Sequence, residues 1–298
     1  MRQVRAIWVH GAAQPGGAPD RRESRLPVTF LLDAIGPAFK KDWRMHMYNI
    51  EMQEMSQEFF KCWQSAGMHL NNQVQGGIQA WLRAHPYPPF LEHLSFRLGN
   101  QLFFIRIEDI DNKIQVPGTL RGLLAVAEGN HGHACILPMK KKIFGGTWVP
   151  YRNGWGLIDA KTRKPIDPIS LITDQKIEMT SWEIQDMAVQ IVRDHLEKQG
   201  LKIMSWQSNP EVDPAIWFVG NSKGPEWVVV RAIKFPENQA RRPSNWEVIA
   251  SQCSHISQVG HFASVALVST EQPFQSQNEK AVPLWRGHAM NVRFTGLE

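Results

Sequence analysis

Asp213-Pro-Ala-Ile-Trp-Phe-Val219, Gly220-Asn-Ser-Lys-Gly-Pro225 and Glu226-Trp-Val-Val-Val-Arg231-Ala-Ile-Lys234 follow one another in the chain. Two runs rich in β-branched and aromatic residues flank a turn bounded by glycine, a pattern that predicts a β-hairpin. Upstream, the amphipathic stretch Trp182 to Gln199, closed by Gly200, predicts a helix, and Leu201-Lys-Ile-Met-Ser-Trp206 a strand. Downstream, Pro236 to Pro243 is a loop carrying Arg241 and Arg242. Asn245 to His255 predicts a helix capped by Ser244 or Asn245, and Gly260 to Val268 an apolar strand. The order is helix, three strands, helix, strand, and each local signal agrees with its neighbours.

This order, from Thr180 to Ser269, resembles the PD-(D/E)xK nuclease superfamily, in which a helix packs on a hairpin whose first strand offers an Asp and whose second offers an acid and a lysine two residues apart. Metal-assisted phosphodiester hydrolysis needs carboxylates for Mg²⁺ and a cation for the attacking water or the developing charge. Alternation along a strand sends residues two apart into the same cleft. The resemblance makes Asp213 the first acid and metal ligand. It puts Arg231 at the lysine position and Val229 at the second acid. Valine binds no metal and arginine gives up no proton, so the site is damaged. Glu226 falls on the opposite strand face and substitutes only through a bulge. Glu183 and Asp186, on the preceding helix, stand roughly where relatives supply an additional carboxylate. The plainer alternative is that Asp213-Pro214 simply opens a strand or turn.

The chain's 298 residues are long enough for two domains, and 43% hydrophobic content supplies their cores. The expected fold class is α/β: an α+β domain of unknown type over residues 1–172 and a nuclease-like mixed-sheet domain over 173–298, with the boundary near 165–178. A net charge of +5 and a pI near 9.2 point to acidic partners, nucleic acid foremost. No apolar run approaches membrane-spanning length and the N-terminus lacks a signal-peptide core, so no membrane is expected and a cytoplasmic location is. Cys62, Cys135 and Cys253 are scattered and odd in number, which argues against a disulfide framework. The twelve tryptophans are read chiefly as packing residues, a minority as platforms for bases.

The first half reads as a strand at Val4–Val9, a loop at Gly11–Arg25, and helices over Val28–Phe39 and Glu51–Trp81, stopped by Pro86-Tyr-Pro-Pro-Phe90. A β-rich middle follows: Gln101–Asp109, the hydrophobic Leu120–Ala127, Ala134–Pro138, Gly145–Tyr151 and Trp155–Asp159. No internal repeat is visible in the letters.

Three basic clusters, Lys140-Lys141-Lys142, Lys161 to Lys164 with Arg163, and Arg241-Arg242, offer contacts to phosphates or are merely solvated faces. Trp148, Tyr151 and Trp155 lie between the first two and favour that segment as a binding surface. His131, His133 and Cys135 are spaced two apart, as on one strand face, but zinc needs a fourth ligand and no paired C-x₂-C knuckle is present. The ordinary reading is a turn and a buried strand cysteine. A Cys135 nucleophile lacks a family signature, and His10 to Gly17 lacks phosphate-loop spacing.

The favoured expectation is a nucleic-acid-associated protein whose nuclease-like core has lost catalytic residues and serves binding or assembly. The resemblance alone supplies its mobile-element, defence or DNA-processing setting. The enzyme alternative is an active Mg²⁺-dependent nuclease using Asp213 with Glu183, Asp186 or Glu211. A protein–protein scaffold is the third reading.

Overall fold

The computed structural model describes residues 56–82, 94–143, 145–208, 210, 212–221, 224–272 and 281–298. The expected strand at Val4–Val9, the loops within 10–25, the helix at Val28–Phe39 and the proline-rich Pro86–Phe90 lie outside them. The described residues form a mixed α/β structure of two mixed sheets and four α-helices.

The first unit opens with α1 (Gln57–Asn71), capped by the Ser56 hydroxyl, which accepts from Phe59 N at 3.0 Å. The helix stops well short of the expected Trp81. Gly76 and Gly77 stand at φ 78° and 80°, a left-handed conformation that breaks the helical period. The Asn71 side chain then accepts from Ile78 N, and Ala80–Leu82 becomes strand β1. β2 (Leu94–Leu98) and β3 (Gln101–Asp109) complete a meander.

Leu120 to Ala127, read above among the strands, is part of a helix, α2 (Leu120–Gly129). Leu120, Leu123, Leu124 and Ala127 recur at helical spacing and pack as one face, and the Thr119 hydroxyl caps the first turn. This helix carries the chain to β4 (His133–Lys141), parallel to β3. β5 (Trp148–Pro150) and the short β6 (Ile158–Asp159) pair along the other edge of β4.

The second unit starts with α3 (Ser181–Lys198). Its Thr180 and Glu183 form a reciprocal capping box. β7 (Lys202–Trp206), β8 (Ile216–Val219) and β9 (Pro225–Lys234) form an antiparallel meander. α4 (Trp246–Cys253) crosses to β10 (Gly260–Ser269), parallel to β9, and β11 (Met290–Phe294) pairs antiparallel with β10. α3 covers one face of this sheet through Ile184, Ala188, Val192 and Leu196 on Val228 and Val230. α4 covers the other through Ile249 and Cys253 on Trp227 and Val229.

The two units therefore have one topology: helix, three-stranded meander, helix, a strand parallel to the third, and an antiparallel strand beyond it. Their registers correspond as well. Leu94 pairs with Ile105 where Ile216 pairs with Val228, and Leu98 with Gln101 where Gly220 N–H donates to Gly224 O. On this superposition of registers Glu108 holds the place of Arg231, and the partners across from them are Pro138 and Ser264. The repetition lies in the order and pairing of elements, which explains why the letters hide it.

Arg286 joins the units. Its fully buried guanidinium is paired with Glu183 at 2.8 Å and donates to His131 O at 3.0 Å and to Asn130 O, in the turn between α2 and β4. Trp182 packs with Phe104 and its neighbours, and Asn100 Nδ2 donates to Thr173 Oγ1 and Gln175 O. Among the described residues no helix is long and apolar enough to cross a membrane.

Candidate functional site

β8 ends its pairing with β9 at Ile216–Val228, so the rest of β9 continues without that neighbour. The Gln185 side chain on α3 takes the missing strand's place. Its Nε2 donates to Val230 O at 2.9 Å, and its Oε1 accepts from Ala232 N at 3.1 Å. A buried backbone needs such partners. Arg231, held between these two bonds, projects with Val229 to the α4 side by strand alternation.

There it meets Asp213, in the bend before β8. Both guanidinium Nη atoms donate, Nη1 to Asp213 Oδ1 at 2.8 Å and Nη2 to Oδ2, a bidentate pair. The Arg231 side chain remains 26% exposed against 11% for Asp213, so the cation still faces solvent while the carboxylate is largely covered. Across the parallel pair, Ser264 Oγ accepts from Ala240 N at 2.7 Å and fixes the loop after β9. Between that loop and the end of β9 lies a groove of about 540 Å³ lined by Arg231, Ile233, Asn238, Gln239 and Arg241, with Glu237 its acid. It opens at the carboxyl end of a strand with a parallel neighbour, a place where α/β sheets bind ligands.

The residues do not fit a catalytic Mg²⁺. Asp213 gives both oxygens to Arg231, and Val229 is wholly buried under α4. Glu183 gives its oxygens to Arg286 and Thr180 N. Asp186 is buried and accepts from Ser208 Oγ at 2.6 Å and from Gln190 Nε2, and burial raises its carboxyl to about 6. Glu226 lies on the α3 side, 2.8 Å from His261 Nε2, the face its odd spacing from Arg231 implies. Glu211 is outside the described residues. Among the described residues no three His, Cys, Asp or Glu side chains gather to hold a metal.

The other expected residues separate by environment. Arg241 lines the groove, whereas the Arg242 guanidinium stacks 4.4 Å from the Trp246 ring centroid. Lys140 and Lys142 are exposed, but Lys141 turns to the α1 side and pairs with Glu58 at 2.7 Å. That bond, with one from Trp148, holds the Glu58 carboxyl down at about 2. Arg163 reaches Glu108 at 3.3 Å and Lys164 is exposed. Trp148 and Trp155 are core residues, while Tyr151 is 57% exposed. His131 sits in the turn, His133 stacks on Phe103 at 5.1 Å, and Cys135 is fully buried. All three cysteines are free and buried, and burial raises each thiol, Cys62 and Cys253 to about 12.

Sequence reasoning missed Gln185, Ser264 and Arg286. Gln185 follows the cap by a single turn and faces the sheet, a signal that became legible only once β9 was known to outrun β8. Arg286 had none, since its partners lie in other segments.

No curated protein and no solved structure matches the chain. A family described as a domain of unknown function, DUF8840, matches residues 182–298, so the second unit, from α3 to β11, is what resembles that family.

Proposed function

We propose that the second unit is a PD-(D/E)xK-like core that has exchanged metal-dependent cleavage for nucleic-acid binding. The observation that carries this reading is the bidentate Arg231–Asp213 pair. In the resembled nucleases the first acid holds a divalent cation. Here an internal guanidinium stands against that acid and neutralises it, and the Arg231 side chain also lines the groove. Arginine stays charged, and since Asp213 takes the Nη1 and Nη2 fork, the Nε–Nη2 edge is the part of Arg231 left to meet a phosphate. Arg241 supplies a second cation on the same groove, and the net charge of +5 favours a polyanion over a neutral ligand.

Purified protein with Mg²⁺ or Mn²⁺ is expected to leave plasmid, linear and single-stranded substrates intact while retarding them at low salt. Cleavage that disappears both with EDTA and in Asp213→Ala would replace this reading with an active nuclease. Absence of any retardation at low salt would remove nucleic acid from it altogether.

A further inference from the structure

The first unit repeats the second in topology and register, and it has a cleft at the corresponding place. Beyond the carboxyl end of β3, which again runs parallel to its next neighbour, a space of about 310 Å³ opens between Glu108, Asp109, Asn112, Pro138, Tyr151 and Arg152. Glu108 and Pro138 are the positions that Arg231 and Ser264 hold in the other unit. The clefts are therefore the same site of one repeated unit, furnished differently.

We infer that the Tyr151 cleft is a second nucleic-acid contact, taking an unpaired base and its flanking phosphates. This rests on the reading of the Arg231 groove as a nucleic-acid site. Tyr151 is fixed by its backbone, since its N–H donates to Pro138 O at 2.8 Å, yet its ring is 57% exposed at the cleft. An exposed, backbone-anchored aromatic ring gives a base a π-face without regard to sequence. Carboxylates and cations both border it: Glu108 and Asp109 line the cleft, and the Asp109 oxygens are taken by the Asp111, Lys113 and Ile114 amides. Arg152 lines the cleft and is exposed, Lys140 extends from Pro138 on the same strand face, and Arg163 reaches in to Glu108.

Arg163, from one basic cluster, thus reaches the cleft that Tyr151 lines, and Lys140, from the other, shares the strand face of Pro138. Glu108, bonded by Arg106 at 2.7 Å as well as by Arg163, is neutralised by these arginines and does not oppose a phosphate. Duplex DNA stacks its bases internally and offers none to Tyr151. A single strand does, so the cleft selects for single-stranded nucleic acid.

Fluorescence anisotropy with the full chain and a labelled oligothymidine, beside a duplex of equal length, tests this. Tyr151→Ala is expected to weaken the single-strand complex about tenfold and leave the duplex within twofold, Tyr151→Phe to restore it, and Lys140→Glu with Arg152→Glu to weaken both. Unchanged single-strand affinity in Tyr151→Ala and in the double reversal, with weakening in Arg241→Glu, would overturn the second contact and leave the Arg231 groove standing. No binding by the wild-type protein to either ligand would overturn both. Circular dichroism of each variant fixes that the fold is retained, which the exposure of these side chains favours.

Discussion

Arg286 and Glu183 illustrate how a candidate catalytic acid becomes a structural one. The pair is buried on both sides, at 0% and 4% exposure, and removal of one partner leaves a charge without water. Arg286→Met is expected to cost about 3–5 kcal/mol, read as a lower denaturant midpoint. Retained stability would mean the pair holds nothing together. Asp186 makes an opposite kind of prediction. Burial raises its carboxyl to about 6 from 3.8, so the folded state holds the proton more tightly than the unfolded chain. Its contribution is complete below about pH 4 and is lost as pH rises through about 6, by up to about 3 kcal/mol. Asp186→Asn keeps an acceptor for Ser208, needs only the Gln190 amide to turn, and should flatten the stability profile between pH 4 and 7. An equal slope in variant and wild type would assign the titration elsewhere.

At the scale of elements, the Gln185 clamp decides whether β9 holds Arg231 in place. Gln185→Ala leaves Ala232 N without its acceptor, while Val230 O keeps the bond from Arg231 Nη1, an expected loss of about 1 kcal/mol. The Ala232 amide should then exchange with solvent faster than those paired to β10, and unchanged protection there would contradict the clamp. The second unit was legible from its residues because each element carries its own signal. The amphipathic run closed by Gly200 makes α3, β-branched runs make β8 and β9, and a basic loop separates them from α4. Asp213 does meet Arg231 across the glycine turn, but from the bend before β8 and not from the hairpin strand on which the sequence reading put it. What stayed hidden had either an ambiguous local pattern or a partner far along the chain. α2 was read as strand because Leu120 to Ala127 is apolar nearly throughout, and only the Thr119 cap and the packing of one face identify the helix. The fate of Glu183 depended on Arg286, far downstream.

For the whole molecule, repetition of one unit explains more than either half does alone. Two sheets of matching register set two clefts at the carboxyl ends of β3 and β9, and Arg286 locks the turn after α2 to the start of α3. The plan is shared, but the corresponding position holds Arg231 in one unit and Glu108 in the other, so under the proposed function the Arg231 groove would meet phosphate through its strand and the Tyr151 cleft through its rim. Among the described residues no three His, Cys, Asp or Glu side chains gather at either cleft to hold a metal. Binding through cations releases counterions from the nucleic acid, so it must weaken with salt. The most direct measurement is the affinity of the wild-type chain and of Arg241→Glu for a labelled oligonucleotide across ionic strength. A linear fall of log affinity with log salt is expected, with a shallower slope and weaker binding in the variant. A wild-type affinity that does not change with salt, or one that Arg241→Glu leaves untouched at every salt concentration, would contradict it.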